Sequence, residues 1–332
     1  MKKNVFLVAA FLALMAAVLP AQTDSEGTPG LKFTLLKGGK GYTVDKGKVK
    51  TGAVVIPESY NNLPVTAIAK KAFSSSTITG ITIPNSVTSI SEESFEDCKS
   101  LTSVTIPNGV TSIGRQAFNG CTSLTNVTIG NGVTNIWYEA FKNCKSLISI
   151  TIPASVTSIG TLSFGDAMGW ELHQGDTSAP FVFRSCESLT AINVDAGNTI
   201  YSSQDGVLYN KNKTVLLYYP TGKKGTFTIP DSVTSIMYYA FAWCKSITSV
   251  TIPASVTSIG QEAFLGSAIT SVTFHKFIDK WKVDNVRGKD YVNLSRALYF
   301  YYFTRFGNDY YNREAVVTFT RENDLSETWT SQ

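Results

Sequence analysis

The side chains with chemical capacity are few. Two His residues, His173 and His275, and five Cys residues, Cys98, Cys121, Cys144, Cys186 and Cys244, stand among 332 residues. Asp166, Glu171, His173 and Asp176 lie within one stretch, Gly165-Asp-Ala-Met-Gly-Trp-Glu-Leu-His-Gln-Gly-Asp176, and could meet at a metal, while Trp170 could stack on a sugar. One His with scattered acids has no recognised ligand spacing, so a tolerated surface loop is the favoured reading and no metal is assigned. Trp170 and His173 are kept as candidate binding residues because long loops are where partner specificity varies. The chain has no glycine-rich phosphate loop, nucleophile elbow or zinc spacing, and it is read as non-enzymatic and without a cofactor. A glycan-active enzyme using the loop acids is the minor alternative.

The five Cys residues share one position of a repeat. Strands stacked about 4.8 Å apart would permit disulfide bridges between neighbours. The odd count and the small buried slot favour free, buried thiols.

That repeat dominates the chain. Leu101-Thr-Ser-Val-Thr-Ile-Pro-Asn-Gly-Val-Thr-Ser-Ile-Gly-Arg-Gln-Ala-Phe-Asn-Gly-Cys-Thr-Ser123 recurs from Leu124 to Ser146 and from Ile78 to Ser100, a period of 23 residues. Leu-x-x-Val-x-Ile ends in a period of two, as a strand with one buried face requires. Pro107 then stops the strand, because it lacks an amide hydrogen. Val110-Thr-Ser-Ile113 forms a second short extended run, and Ala117-Phe118 drops a ring between coils. A single coil exposes half of this apolar set above and below, so the coils must stack.

Irregular coils follow from comparison with this template. Nineteen residues are inserted between Ile159 and Phe183. Two apolar runs around Asn210-Lys-Asn-Lys213 read as a β-hairpin over residues 206–219. The Cys position is Ser at both array ends, Ser76 and Ser267. The domain reading is therefore a signal peptide at 1–21, an N-terminal cap or linker at 22–50, a solenoid at 51–274 and a C-terminal cap at 275–332. Within that last segment a helix is expected near 294–306 and a closing strand near 315–320. Met1-Lys2-Lys3, the apolar run Val5 to Leu19, and Leu19-Pro20-Ala21 before a polar stretch carry the signal-peptide reading, with cleavage after Ala21. The run is too short for a membrane span, and no later segment is apolar enough for one. The net charge of +4 falls to about +2 without Lys2 and Lys3, too little to imply nucleic acid.

The motif Leu-Thr-Ser-Val-Thr-Ile-Pro-x-x-Val-Thr-Ser-Ile-Gly-x-x-Ala-Phe-x-x-Cys-x-Ser resembles the Treponema pallidum-type leucine-rich repeat of BspA-like surface antigens. The resemblance covers roughly residues 51–274. It implies an α/β repeat fold, a right-handed leucine-rich-repeat solenoid with parallel strands and short helical or irregular returns, capped at both ends. It also implies an exported protein that binds host matrix proteins such as fibronectin or fibrinogen, or a host receptor, in adhesion. A glycan is the other partner class considered. A scaffold of the cell envelope, docked through residues 275–332, is the alternative function.

The outward strand positions form the candidate binding face. They are Thr79, Gly80 and Thr82; Thr102, Ser103 and Thr105; Thr125, Asn126 and Thr128; Ile148, Ser149 and Thr151; and Thr248, Ser249 and Thr251. Thr suits a solvated strand face by propensity alone, copied by duplication. The functional alternative is a flat polar platform for an extended peptide or glycan. A role in ordering water is a remote third reading.

Overall fold

The computed structural model describes residues 27–160, 179–260, 263–274, 317–320 and 330–331. The signal-peptide segment, Trp170, His173 and the helix expected near 294–306 lie outside the described residues.

The chain coils into a parallel-strand β-solenoid of about nine turns. Each regular coil carries one four-residue strand, such as Ser103–Ile106, Asn126–Ile129 and Ser149–Ile152, whose residues alternate between exposed and buried. Parallel register holds equivalent residues in columns, with Ser103 opposite Asn126 and Thr105 opposite Thr128. Two-residue strands at Ser89–Ile90, Ser112–Ile113, Asn135–Ile136 and Ser158–Ile159 build the second layer. That layer is the longest sheet, and it runs back through Leu63–Ile68 to an antiparallel hairpin of Lys32–Leu35 and Tyr42–Asp45.

Of the short helical or irregular returns expected, those among the described residues are almost all irregular. Helix among the described residues is one four-residue turn, Ala179–Val182. The returns fail to wind because residues in them adopt positive φ, two in each regular coil, for example Gln116 at 54° and Gly120 at 75°. A left-handed residue breaks the right-handed hydrogen-bond pattern, and for a residue with a Cβ it costs roughly 1–2 kcal/mol. Bonds to the next coil hold the conformation: Gln116 N–H donates to the Tyr138 carbonyl at 3.0 Å, Phe118 N–H to Ala140 at 2.8 Å and Gly120 N–H to Lys142 at 2.9 Å. The returns are thus a third ladder.

Between the layers sits one ring per coil. Phe73, Phe95, Phe118 and Phe141 are fully buried and stack face to face, with centroids 5.0–5.4 Å apart and ring planes within 7°. The stack continues to Phe183 at 6.1 Å.

A three-stranded antiparallel meander, Tyr201–Gln204, Val207–Asn210 and Val215–Tyr218, interrupts the array. The last two strands are the expected hairpin; Tyr201–Gln204 is an added strand. Asp205 and Gly206, both at positive φ, make the two-residue turn that joins it, the geometry favoured in tight hairpins. Meander side chains divide between two cores. Leu208, Leu217 and Tyr218 pack with the N-terminal coils, and Val207, Tyr209, Leu216 and Tyr219 with the C-terminal ones. A strand buried on both faces reads as a continuous apolar run, as Val215-Leu-Leu-Tyr-Tyr219 does.

Regular strands resume at Gly225–Thr228, Ile247–Ile252 and Ser271–Phe274. Val317–Thr320 then pairs antiparallel with Ser271–Phe274, where the closing strand is expected, and Thr330–Ser331 pairs with it in turn.

Candidate binding face

The exposed columns of the four-residue strands divide by what their hydroxyls do. In the column that enters each strand, the hydroxyl is committed to the coil before it. Thr102 Oγ1 donates to the Thr79 carbonyl at 3.4 Å, Thr125 Oγ1 to Thr102 at 3.1 Å and Thr248 Oγ1 to Gly225 at 3.2 Å. Ile148 stands in that column as an apolar knob, 56% exposed.

The next two outward columns are different. Ser103, Asn126 and Ser149, and Thr82, Thr105, Thr128 and Thr151, are exposed, and their side chains bond no described residue. Thr79, the first member of the committed column, accepts from Thr102 through its carbonyl while its own hydroxyl is exposed and bonds no described residue. Ser249 and Thr251 occupy the same columns beyond the meander and are half-buried. Pairing brings Ser103, Thr105, Asn126 and Thr128 together on one two-stranded sheet and Ser149 and Thr151 onto the next, beside Ala191 and Asn193. The result is a polar platform of hydroxyls and amides on backbone that cannot shift without breaking register.

A second Thr ladder was not singled out from sequence. Thr88 Oγ1 donates to the Thr66 carbonyl, Thr111 to Thr88 and Thr134 to Thr111, each at 3.1 Å, and Thr234 and Thr257 repeat the pattern at 3.2 Å. Its sequence signal is the invariant Thr of Val-Thr-Ser-Ile within the chain, and its role is to join coils.

The five Cys residues are free and fully buried. Each sulfur donates toward the carbonyl of an aromatic residue one coil back: Cys98 to Phe73, Cys121 to Phe95 and Cys186 to Phe141 at 3.1 Å, Cys144 to Phe118 at 3.2 Å and Cys244 to Tyr219 at 3.6 Å. Burial pushes every thiol up, Cys186 to about 12. Such thiols satisfy carbonyls and are poor nucleophiles at neutral pH.

The return face carries charge and aromatic rings. Lys71 pairs with Glu93 at 2.9 Å and Lys70 with Glu92 at 2.6 Å. Burial raises the Glu93 carboxyl, but its bond to Lys71 and the adjacent charge outweigh that and leave it lowered. Nearer the meander, the Arg184 guanidinium lies 4.1 Å over the Trp243 ring, and Tyr239 stacks on Trp243 at 5.7 Å. The sequence reading missed this cluster, since its members come from coils separated by the meander. Among the described residues no three His, Cys, Asp or Glu side chains are grouped to hold a metal.

Parallel coils, a ring stack and a committed hydrogen bond from each repeat to the last define a leucine-rich-repeat protein. The chain belongs to the BspA type leucine rich repeat family: six copies of that repeat match residues 64–170 and 214–285. It is similar to the pneumococcal vaccine antigen PcpA, with 22% identity and a TM-score of 0.57 over 74% of this chain and 68% of that one. At that identity the likeness shows the fold. A leucine-rich repeat protein from Eubacterium ventriosum is 30% identical over 71% of this chain and 61% of its own, with a TM-score of 0.44. The leucine rich repeat protein of T. pallidum is 24% identical over 72% of this chain and 76% of its own, with a TM-score of 0.34. No curated protein compared with the chain matches it.

Proposed function

We propose that the chain is an exported, non-enzymatic binding protein of the bacterial surface that takes an extended protein segment or a glycan on its polar strand face. One observation carries this reading. The side chains of Ser103, Thr105, Asn126, Thr128, Ser149 and Thr151 stand in register with no partner among the described residues, beside a column in which Thr102 and Thr125 commit their hydroxyls to the preceding coil. Pre-positioned donors and acceptors lose little entropy on binding, which is how a rigid solenoid face gains affinity. Export rests on the layout of residues 1–21. The residues 22–50 and 275–332 are read as closing the two ends of the array.

The test is capture of the purified chain on immobilised fibronectin and fibrinogen and on a glycan array. Saturable binding that free chain competes away supports the reading. No binding across the panel contradicts it.

A further inference from the structure

The charges of the molecule are unevenly used. Along the coils, Lys70, Lys71, Lys142 and Lys145 each sit within 2.6–2.9 Å of a carboxylate. In and just after the meander, Lys211, Lys213 and Lys223 donate to backbone or amide oxygens, while Lys224 and Lys245 stand singly, exposed and bonding no described residue through their side chains. The first coil is unlike both. Residues 27–50 hold six lysines against one carboxylate, Asp45. Asp45 accepts from the Gly47 N–H at 2.7 Å, and Lys46 donates to the Ser74 carbonyl at 2.8 Å. Lys32, Lys37, Lys40, Lys48 and Lys50 remain, all exposed, their ammonium groups without an ion-pair or hydrogen-bond partner among the described residues.

Apolar surface gathers at the same end. Of the five large exposed hydrophobic residues among those described, three lie here: Leu35 at 51%, Leu36 at 37% and Tyr60 at 41%. Leu35 and Leu36 lead into the hairpin turn that also carries Lys37 and Lys40, closed by Leu36 N–H to the Gly41 carbonyl at 2.9 Å. Tyr60 stacks on Phe33 of the same hairpin at 4.1 Å. Strand Lys32–Leu35 is the terminal strand of the long sheet, so this surface is the end of the solenoid and not its side.

We infer that the N-terminal end of the solenoid docks on an anionic phospholipid bilayer surface, with Lys32, Lys37, Lys40, Lys48 and Lys50 facing the headgroups and Leu35 and Leu36 entering the interface. Lysines close to an anionic bilayer each add attraction, and an apolar tip adds area buried at the headgroup boundary. A soluble polyanion would use the lysines and leave the two leucines in water. A second copy would set five lysines against five. This contact touches the bilayer without spanning it; no described helix is long and apolar enough to cross a membrane. End-on docking leaves the strand face turned to the side and open.

The test is co-sedimentation of the full chain with vesicles of roughly one part phosphatidylglycerol to two of phosphatidylcholine, against pure phosphatidylcholine. Three chains are compared: the natural one, one with K32Q, K37Q, K40Q, K48Q and K50Q, and one with L35S and L36S. Residues 1–26 are the same in all three, so their contribution cancels. The natural chain should bind the anionic vesicles and be released as salt rises from about 0.05 to about 0.5 M. The lysine variant should bind at least about tenfold more weakly, and the leucine variant about threefold more weakly. Equal binding of all three chains, or salt-insensitive binding by the natural chain, overturns the proposal. So does capture by heparin beads with none by vesicles, or a dimer in analytical ultracentrifugation that the lysine variant dissolves. Should the fivefold variant fold poorly by circular dichroism, K37Q with K40Q in the exposed turn and the salt series on the natural chain decide the matter. Panel binding through the strand face is read separately, so either result stands without the other.

Discussion

The coils from Ile78 to Ile159 and the meander around Asn198–Tyr219 solve the same problem by different means. In the regular coils the backbone groups, and the hydroxyls of the committed Thr columns, bond the equivalent residue one coil away, so one sequence pattern serves successive interfaces. At the meander the equivalents are missing and other side chains take their places. Asn198, fully buried, donates to the Pro153 and Val156 carbonyls at 2.8 and 2.9 Å and accepts from the Ile200 and Tyr201 amides. The Tyr201 hydroxyl accepts from the Ile159 N–H at 3.2 Å. The Tyr218 hydroxyl donates to the Phe183 carbonyl at 3.1 Å, the role a Cys plays elsewhere, and Thr221 donates to the Cys186 carbonyl at 2.6 Å. What persists through the array is the satisfaction of buried backbone carbonyls by a side chain from the next coil, with sequence free to change around it; the buried hydroxyls of Ser86, Tyr209 and Ser255 are exceptions without a partner among the described residues.

The largest effect is expected at the ring stack. Phe118→Ala removes a buried ring held between two others and should cost about 3–5 kcal/mol by urea denaturation, with loss concentrated in the regular coils. If the equivalent Phe241→Ala leaves those coils melting as before, the two cores on either side of the meander unfold as separable units.

Asn198→Ala should come next, at about 3 kcal/mol, because two carbonyls and two amides lose a buried partner together. A loss below about 0.5 kcal/mol would mean that the seam is not a sealed interface. The thiols provide a pH test across both regions. Their folded pKa values lie above the ordinary 9.0, so neutral thiols contribute stability fully below that pH. The contribution is lost as pH rises from about 9 toward the about 12 of Cys186. Melting temperature should fall over that window, and a chain with Cys121→Ala and Cys144→Ala should fall less steeply. In the folded chain at neutral pH an alkylating reagent should label none of the five, and after denaturation all five. Fewer than five on denaturation would indicate bridges.

Smallest is the contrast within the binding face itself. Thr125→Val removes a hydroxyl bonded to the preceding coil and should cost about 0.5–1.5 kcal/mol. Thr128→Val, three residues on, removes an uncommitted hydroxyl from a strand and should change stability by less than about 0.5 kcal/mol.

Much of the fold is legible in the chain. The period of 23, the Pro that ends each strand, the Phe of the stack and the buried Cys follow from burial within a repeat, and the structure places Pro107, Phe118 and Cys121 in those roles. That the returns are irregular and not helical is not legible, because Gln116, Glu139 and Tyr239 have no sequence mark of positive φ; the next coil imposes it. The candidate face was legible as a set of outward residues, Thr82 to Thr251. Its division into committed and open hydroxyls was not, since Thr125 and Thr128 differ only in whether a carbonyl of another coil lies within reach. For the same reason the unpaired lysines of the first coil could not be told from the paired ones of the second.

The direct test of the central claim is a binding isotherm on the fibronectin, fibrinogen and glycan panel for a chain carrying Thr105→Arg, Thr128→Arg and Thr151→Arg, recorded with its melting curve. The account predicts an unchanged melting transition and affinity lowered at least about tenfold for whatever the natural chain binds. Undiminished binding by a chain that melts like the natural one would contradict it.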